Sequence, residues 1–179
     1  MISNKIQSLY DLYVHQLSKY PNSKFLFDKV GSKWKGISFS EIDAKVQALQ
    51  SYFYEKKIKK GDRIFLLSSS RSEWFIIDIA VQSVGAITVP SFITNNVDDN
   101  NFIIKDCKPK IIFVENDLIL KKNKNIINKS FIRDIVLIEN SKNQESLSNI
   151  YKQKARIKLP ILRKKDISSI IYTSGTSGN

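Results

Sequence analysis

Cysteine, histidine and methionine each occur once in the 179 residues, glycine six times and proline four times. A lone Cys107 closes no intrachain disulfide, so the fold must stand on packing, as in a reducing compartment; a cytoplasmic location is expected. With His15 as the only imidazole, no Cys–His nucleophile pair and no metal site can be assembled, and both residues read as packing or surface. No apolar stretch approaches the length of a membrane span. The opening "MISNKIQSLYDLYVHQL" also lacks the apolar core of a secretion signal, which points to a soluble or peripheral protein.

Acidic residues are the minority charge, 17 against 29 Lys and Arg, for a formal net charge of +12. Such an excess nominates an anionic partner. Here it is mostly lysine, spread along the chain beside abundant Ile and Asn, a combination that AT-rich coding produces without any binding role. A nucleic-acid partner is therefore not expected. The densest cluster, "KKNKNIINKSFIR" at 121–133, fits peripheral contact with an acidic membrane surface and a solvated helix face equally well. No obligate protein partner is evident. Hydrophobic residues at 42% and charged residues at 26% argue against disorder, and the length suits one domain or a piece of something larger.

Apolar residues Ile6, Leu9, Leu12, Tyr13 and Leu17 recur at helical spacing, and Pro21 with Asn22 closes that helix. "KFLFDKVGSKWKGIS" predicts a hairpin turning at Gly31. "SFSE" is a capping box in which Ser38 and Glu41 serve each other's backbone, opening a helix that runs to about Lys57. Beyond Gly61 short apolar runs alternate with helical segments. "RIFLLS", "AITVP", "KIIFVE" and "DIVLIE" predict strands; "SEWFIIDIAVQSV", "VDDNNFIIKDC" and "LILKKNKNII" predict helices. The strands are continuous Val/Ile/Leu/Phe runs without polar alternation, as in parallel strands covered on both faces. The fold class is thus α/β, a mostly parallel sheet built from β-α-β units. Residues 140–165 form a connector with one short helix around 147–154.

The last segment, "KKDISSIIYTSGTSGN", predicts a buried strand over 167–172 running into hydroxyls and glycines. Phosphate oxygens are held by convergent backbone N–H groups, which needs glycines of free φ, and hydroxyls add donors. Thr173, Ser174, Thr176 and Ser177 supply hydroxyls, and Gly175 and Gly178 supply backbone freedom, on a loop anchored by the strand before it. A Ser/Gly linker has the same composition; the strand upstream favours the phosphate reading. Neither a Walker loop nor a GxGxxG turn is present. Arg71, Glu73 and Trp74 at a strand-to-helix turn, and Asp98 and Asp99 opening a helix, read as structural.

"DISSIIYTSGTSGN" resembles the signature loop of the adenylate-forming enzymes, the superfamily of acyl-CoA synthetases, luciferases and nonribosomal peptide adenylation domains, where the pattern continues into Pro-Lys-Gly. "GISFSEIDAKVQALQ", "IKKGDRIFLLSSSRSEWFIIDIAVQSVGAITVPSF" and "NNFIIKDCKPKIIFVEN" are similar to segments these enzymes carry in the same order. Within them, "SRSEWFIIDIAVQSVGAITVPSF" is nearest the long-chain fatty acyl-CoA synthetases, although Ser70 stands where that branch often has Asn and "SFITNN" replaces Tyr-Pro-Thr. The resemblance implies that residues 1–179 are a partial adenylation domain, the incomplete N-terminal portion of the large domain, ending just after the phosphate loop. It also implies ATP, Mg²⁺ and coenzyme A as cofactors, and a fatty acid or other carboxylate as substrate. Thr173, Ser174, Gly175, Thr176, Ser177 and Gly178 would hold the β- and γ-phosphates, with no catalytic residue in this stretch and little activity from it alone. A noncatalytic or vestigial nucleotide-binding-like module would have the same fold.

Overall fold

Ser8 opens the first helix: its hydroxyl accepts from the Asp11 amide at 3.1 Å, and α1 (Leu9–Lys19) follows. In this computed structural model the described residues are 6–124, 129–152 and 157–173. The hairpin is β1 (Lys24–Val30) against β2 (Lys33–Ser38), antiparallel, and it turns through Gly31 at φ +61°, where a side chain would be strained. The capping box forms as read: Ser38 Oγ accepts from the Glu41 amide at 3.3 Å, and the Glu41 carboxylate accepts from the Ser38 amide at 2.7 Å. From it runs α2 (Phe39–Glu55), which stops just short of Lys57, a residue held at φ +54°.

The alternating region gives β3 (Arg63–Leu67), α3 (Ser72–Ser83), β4 (Ile87–Ser91), α4 (Val97–Cys107), β5 (Ile111–Val114), α5 (Asp117–Lys122), β6 (Asp134–Leu137) and α6 (Leu147–Ile150). The four strands from β3 to β6 form one parallel sheet in the order β4-β3-β5-β6. The ends expected for the helices at 118–127 and 147–154 fall partly on residues 125–128 and 153–156, outside the described residues.

Alternation along each strand sends side chains to two separate cores. Ile64 and Leu66 of β3, with Ile111 and Phe113 of β5, meet Ile42, Val46, Leu49 and Phe53 of α2 and Ile76 and Ile77 of α3. Phe65 and Leu67, with Ile112 and Val114, meet Ile103, Ile104 and Cys107 of α4 on the opposite face. Both faces are covered, which is why these strands lack polar alternation. Each fully buried Leu, Ile or Phe stabilises the fold by about 1.5–3 kcal/mol. The outermost strand is pinned to α2 by charge: Asp134 accepts from the Tyr52 hydroxyl at 2.8 Å and pairs with Lys56 at 2.5 Å, while the Arg133 guanidinium donates to the carbonyls of Lys56 and Lys57 at the end of that helix.

Residues 167–172 depart from the expected buried strand. They lie parallel beside β4 through a single bridge, Thr88 with Ser169: the Thr88 amide donates to the Ser168 carbonyl, and the Ile170 amide to the Thr88 carbonyl, both at 3.0 Å. Exposure alternates along the segment, with Ile167 and Ile171 open and Ile170 and Tyr172 packed on the α4 side. The ladder stops for a chemical reason. Odd-numbered residues of β4 face β3, as the Ile87 amide and the Ser91 carbonyl show, so even-numbered ones face outward. The next outward donor after Thr88 belongs to position 90, and Pro90 has no N–H to give the Ile170 carbonyl.

Candidate functional site

The segment that carries the predicted loop is held at three points. At its start the Asp166 carboxylate pairs with Lys60 at 2.5 Å and accepts from the Arg163 amide at 2.7 Å; the bond from Lys60 holds that carboxyl below its ordinary range. In the middle is the Thr88–Ser169 bridge. Near its end the Tyr172 hydroxyl donates to Asp106, and the ring stands edge-on to Phe102 at 6.2 Å. Burial, reinforced by the Asp106 bond, pushes the phenol above its usual value, so it remains a donor. Because the segment runs parallel to β4, it delivers exposed Thr173 to the carboxyl edge of the sheet. Open α/β sheets bind their ligands outside that edge. Ser174, Gly175, Thr176, Ser177 and Gly178 lie outside the described residues.

Below this edge, a chain of buried amides ties three elements together. The Ser91 hydroxyl, at the end of β4, donates to Asn100 Oδ1 at 2.7 Å and accepts from Asn95 at 3.0 Å. Asn100 Nδ2 then donates to Asn123 Oδ1 at 3.1 Å, and Asn123 returns a bond to the Ile119 carbonyl. Asn100 and Asn123 are almost wholly buried, so each bond made here avoids a desolvated, unpaired amide. The network fixes where β4 ends relative to α4 and α5, hence where Thr173 emerges.

Strand order reverses between β3 and β5, the position at which such sheets most often open a crevice. Here Glu115 occupies it. Its carboxylate accepts from the Ser69 amide and hydroxyl, both at 2.6 Å, and from the Ser68 hydroxyl at 3.3 Å. Burial opposes ionisation there, but the bonds from Ser69 and Ser68 outweigh it and hold the acid below its ordinary value. Sequence reading passed over Glu115, Asn100 and Ser91; the only signal was a polar residue ending the apolar runs "KIIFVE" and "ITVPS".

The residues read as structural are structural. Arg71 bonds Glu73 at 2.8 Å and Glu139 at 3.1 Å, tying the start of α3 to the chain after β6. Asp98 and Asp99 occupy the first turn of α4, where the Asp99 amide donates to Asn96. Burial pushes the Cys107 thiol up to about 12, which leaves it inert as a nucleophile at neutral pH. Among the described residues no group of three or more His, Cys, Asp and Glu is placed to hold a metal ion, and no helix is long and apolar enough to cross a membrane.

A parallel sheet with helices on both faces, and a hydroxyl-rich turn leaving its carboxyl edge, defines a nucleotide-binding type of α/β protein. Comparison makes this specific: the profile of one family, the AMP-binding enzymes, matches residues 13–179, and the chain belongs to that family. It is 25% identical over 155 residues to the long-chain-fatty-acid–CoA ligase FadD15 of Mycobacterium tuberculosis, covering 81% of this chain and 25% of the relative. It is 26% identical over 196 residues to the long chain acyl-CoA synthetase 5 of Arabidopsis thaliana, covering 97% and 29%. The chain thus spans about a quarter of the length of these relatives. Its fold matches the adenylation domain of a carboxylate reductase from Mycobacterium chelonae with a TM-score of 0.85 at 15% identity, covering 99% of this chain and 34% of that one. A fatty acyl-adenylate ligase from L. pneumophila, solved with acyl adenylate and pyrophosphate, gives 0.70 at 19% identity, covering 97% and 29%.

Proposed function

We propose that this chain supplies the phosphate-binding front part of an AMP-forming acid–CoA ligase acting on a long-chain fatty acid, residues 1–179 being part of its large adenylation domain. In that reaction the substrate carboxylate attacks the α-phosphorus of ATP, pyrophosphate leaves, and the thiol of coenzyme A then displaces AMP from the acyl-adenylate. Carboxylate oxygen is too poor a leaving group for direct thioester formation, whereas AMP departs readily.

Thr173, Ser174, Thr176 and Ser177 donate hydroxyls, and Gly175 and Gly178 donate backbone N–H groups, to the β- and γ-phosphates. Asp166, Thr88 and Tyr172 act one step back, by holding the segment that aims the loop. Mg²⁺ bound with ATP would offset phosphate charge. Long-chain fatty acid is the acyl substrate favoured by the names of the relatives at 25 and 26% identity.

The observation that carries the reading is the parallel docking of residues 167–172 on β4, which brings Thr173 to the carboxyl edge of the sheet. Its test is phosphorus NMR of ATP with Mg²⁺ titrated with the chain. Broadening of the β- and γ-phosphate signals, weak in affinity and removed by Gly175→Val or by Ser174→Ala with Thr176→Ala, is expected. Absence of broadening, or broadening indifferent to those changes, overturns it. Thioester formation by residues 1–179 alone would contradict the assignment of only phosphate binding to this stretch.

A further inference from the structure

The β1–β2 ribbon has a side that no described residue covers, and its chemistry is uneven. Register puts Phe27 opposite Gly36 and Lys29 opposite Trp34, so these four share one side. A Cβ on Gly36 would stand 2.9 Å from Phe27 Cε1, because the ring lies across the glycine. Trp34 is 68% exposed, Val30 at the tip 61% and Phe27 55%. Meanwhile the ribbon is seated on the body through Leu26 and Ile37, which pack on the main core, and through Asp28, which bonds Ser72. The tip and the outer side are left facing away.

Charge around this apolar group is of one sign. Lys24 is paired with Glu41 at 2.9 Å, and Asp28, the ribbon's only carboxylate, is turned to Ser72. Lys29, Lys33 and Lys35 have no ion pair among the described residues. An indole, a phenyl ring and a valine ringed by uncompensated ammonium groups match one kind of surface: apolar just beneath, anionic at the level of the headgroups. Aromatic side chains settle at that boundary, and lysine stems extend toward the phosphates.

We propose that this hairpin docks the protein on an anionic lipid bilayer, with Phe27, Val30 and Trp34 entering the interfacial layer and Lys29, Lys33 and Lys35 meeting lipid phosphates. The proposal is independent of the nucleotide site. It also differs from the lysine-rich stretch at 121–133 that the sequence nominated, where Arg133 is committed to the carbonyls ending α2. Two aromatics on an exposed ribbon were not expected from the sequence, and single-stranded nucleic acid is the competing partner. Lipid is favoured because the ribbon holds no arginine to stack on bases and because its tip is aliphatic.

The test is sedimentation of the full chain with vesicles of phosphatidylcholine alone or mixed with phosphatidylserine. Binding only to the mixed vesicles is expected, and Lys29→Glu, Lys33→Glu and Lys35→Glu together should weaken it at least about 100-fold, from roughly one tenfold step for each lysine removed, less the overlap between them. A Trp74→Phe chain, whose only indole is Trp34, should show a blue shift in emission and quenching by brominated acyl chains; if that change unfolds the protein, sedimentation of the unsubstituted chain decides the question. The proposal is overturned by absence of binding, by binding that survives Phe27→Ser with Trp34→Ser in a chain of unchanged circular dichroism, by a Trp34 shift with a DNA oligonucleotide instead of vesicles, or by self-association that buries Trp34.

Discussion

The carboxylate of Asp28, in the hairpin, accepts from both the backbone N–H of Ser72 at 3.2 Å and its hydroxyl at 2.7 Å, and so caps a helix that begins 44 residues later. The residue preceding that helix, Arg71, provides no side-chain cap of its own. A tertiary contact thus takes the role usually filled by the neighbouring residue, and it couples the hairpin to the sheet domain. Asp28→Ala should lower unfolding stability by about 1 kcal/mol, within the range for lost N-caps. Urea unfolding measures it, and Asp28→Asn, which keeps an acceptor, should lose less.

Pro90 decides how far residues 167–172 join the sheet. Pro90→Val restores a donor facing the Ile170 carbonyl and suits a strand. Hydrogen exchange should then show the amide at position 90 protected and Ile170 slowed, with a gain of about 1 kcal/mol from the added bond. An unprotected amide at position 90 would mean that the ladder ends for another reason.

Glu41 should titrate far below other glutamates. The Ser38 amide, then Lys24 and the Ser38 hydroxyl, lower its value from 4.5 to about 2. The folded value lies below the unfolded one, so its contribution to stability is complete above pH 4.5 and is lost as pH falls toward 2, with no change at neutral pH. A carboxyl-carbon NMR titration reads the midpoint directly. Ser38→Ala should move it upward.

The buried amides predict an asymmetry. Asn100→Ala strands Ser91 and Asn123 without their partner and should cost about 1–3 kcal/mol. Adding Ser91→Ala and Asn123→Leu should recover part of that loss, because the orphaned groups are then gone. Chemical denaturation of the single and triple variants checks both signs.

Much of the secondary structure was legible because it is local. The Ser38–Glu41 box, the turn at Gly31 and the unbroken apolar runs of β3 and β5 depend on spacing and on side-chain type within a few residues. The expectation for residues 167–172 went astray because "ISSIIY" looks like any buried strand: nothing local says that its neighbour carries Pro90 at the one position where a donor was required, or that only its Ile170 and Tyr172 side meets a helix. Trp34 and Phe27 were likewise placed in a hairpin, but whether that hairpin's outer side is covered is not a local property.

By itself, then, the order of residues determined the alternation of strands and helices, the caps, and the loop chemistry that places the chain among AMP-binding enzymes, since each rests on short-range sterics or on a contiguous motif. Tertiary structure alone decided that Asp28 caps α3, that Glu115 fills the reversal between β3 and β5, and that residues 167–172 attach at one bridge. These depend on which distant backbone groups come to face each other, and that geometry exists only once the sheet has assembled.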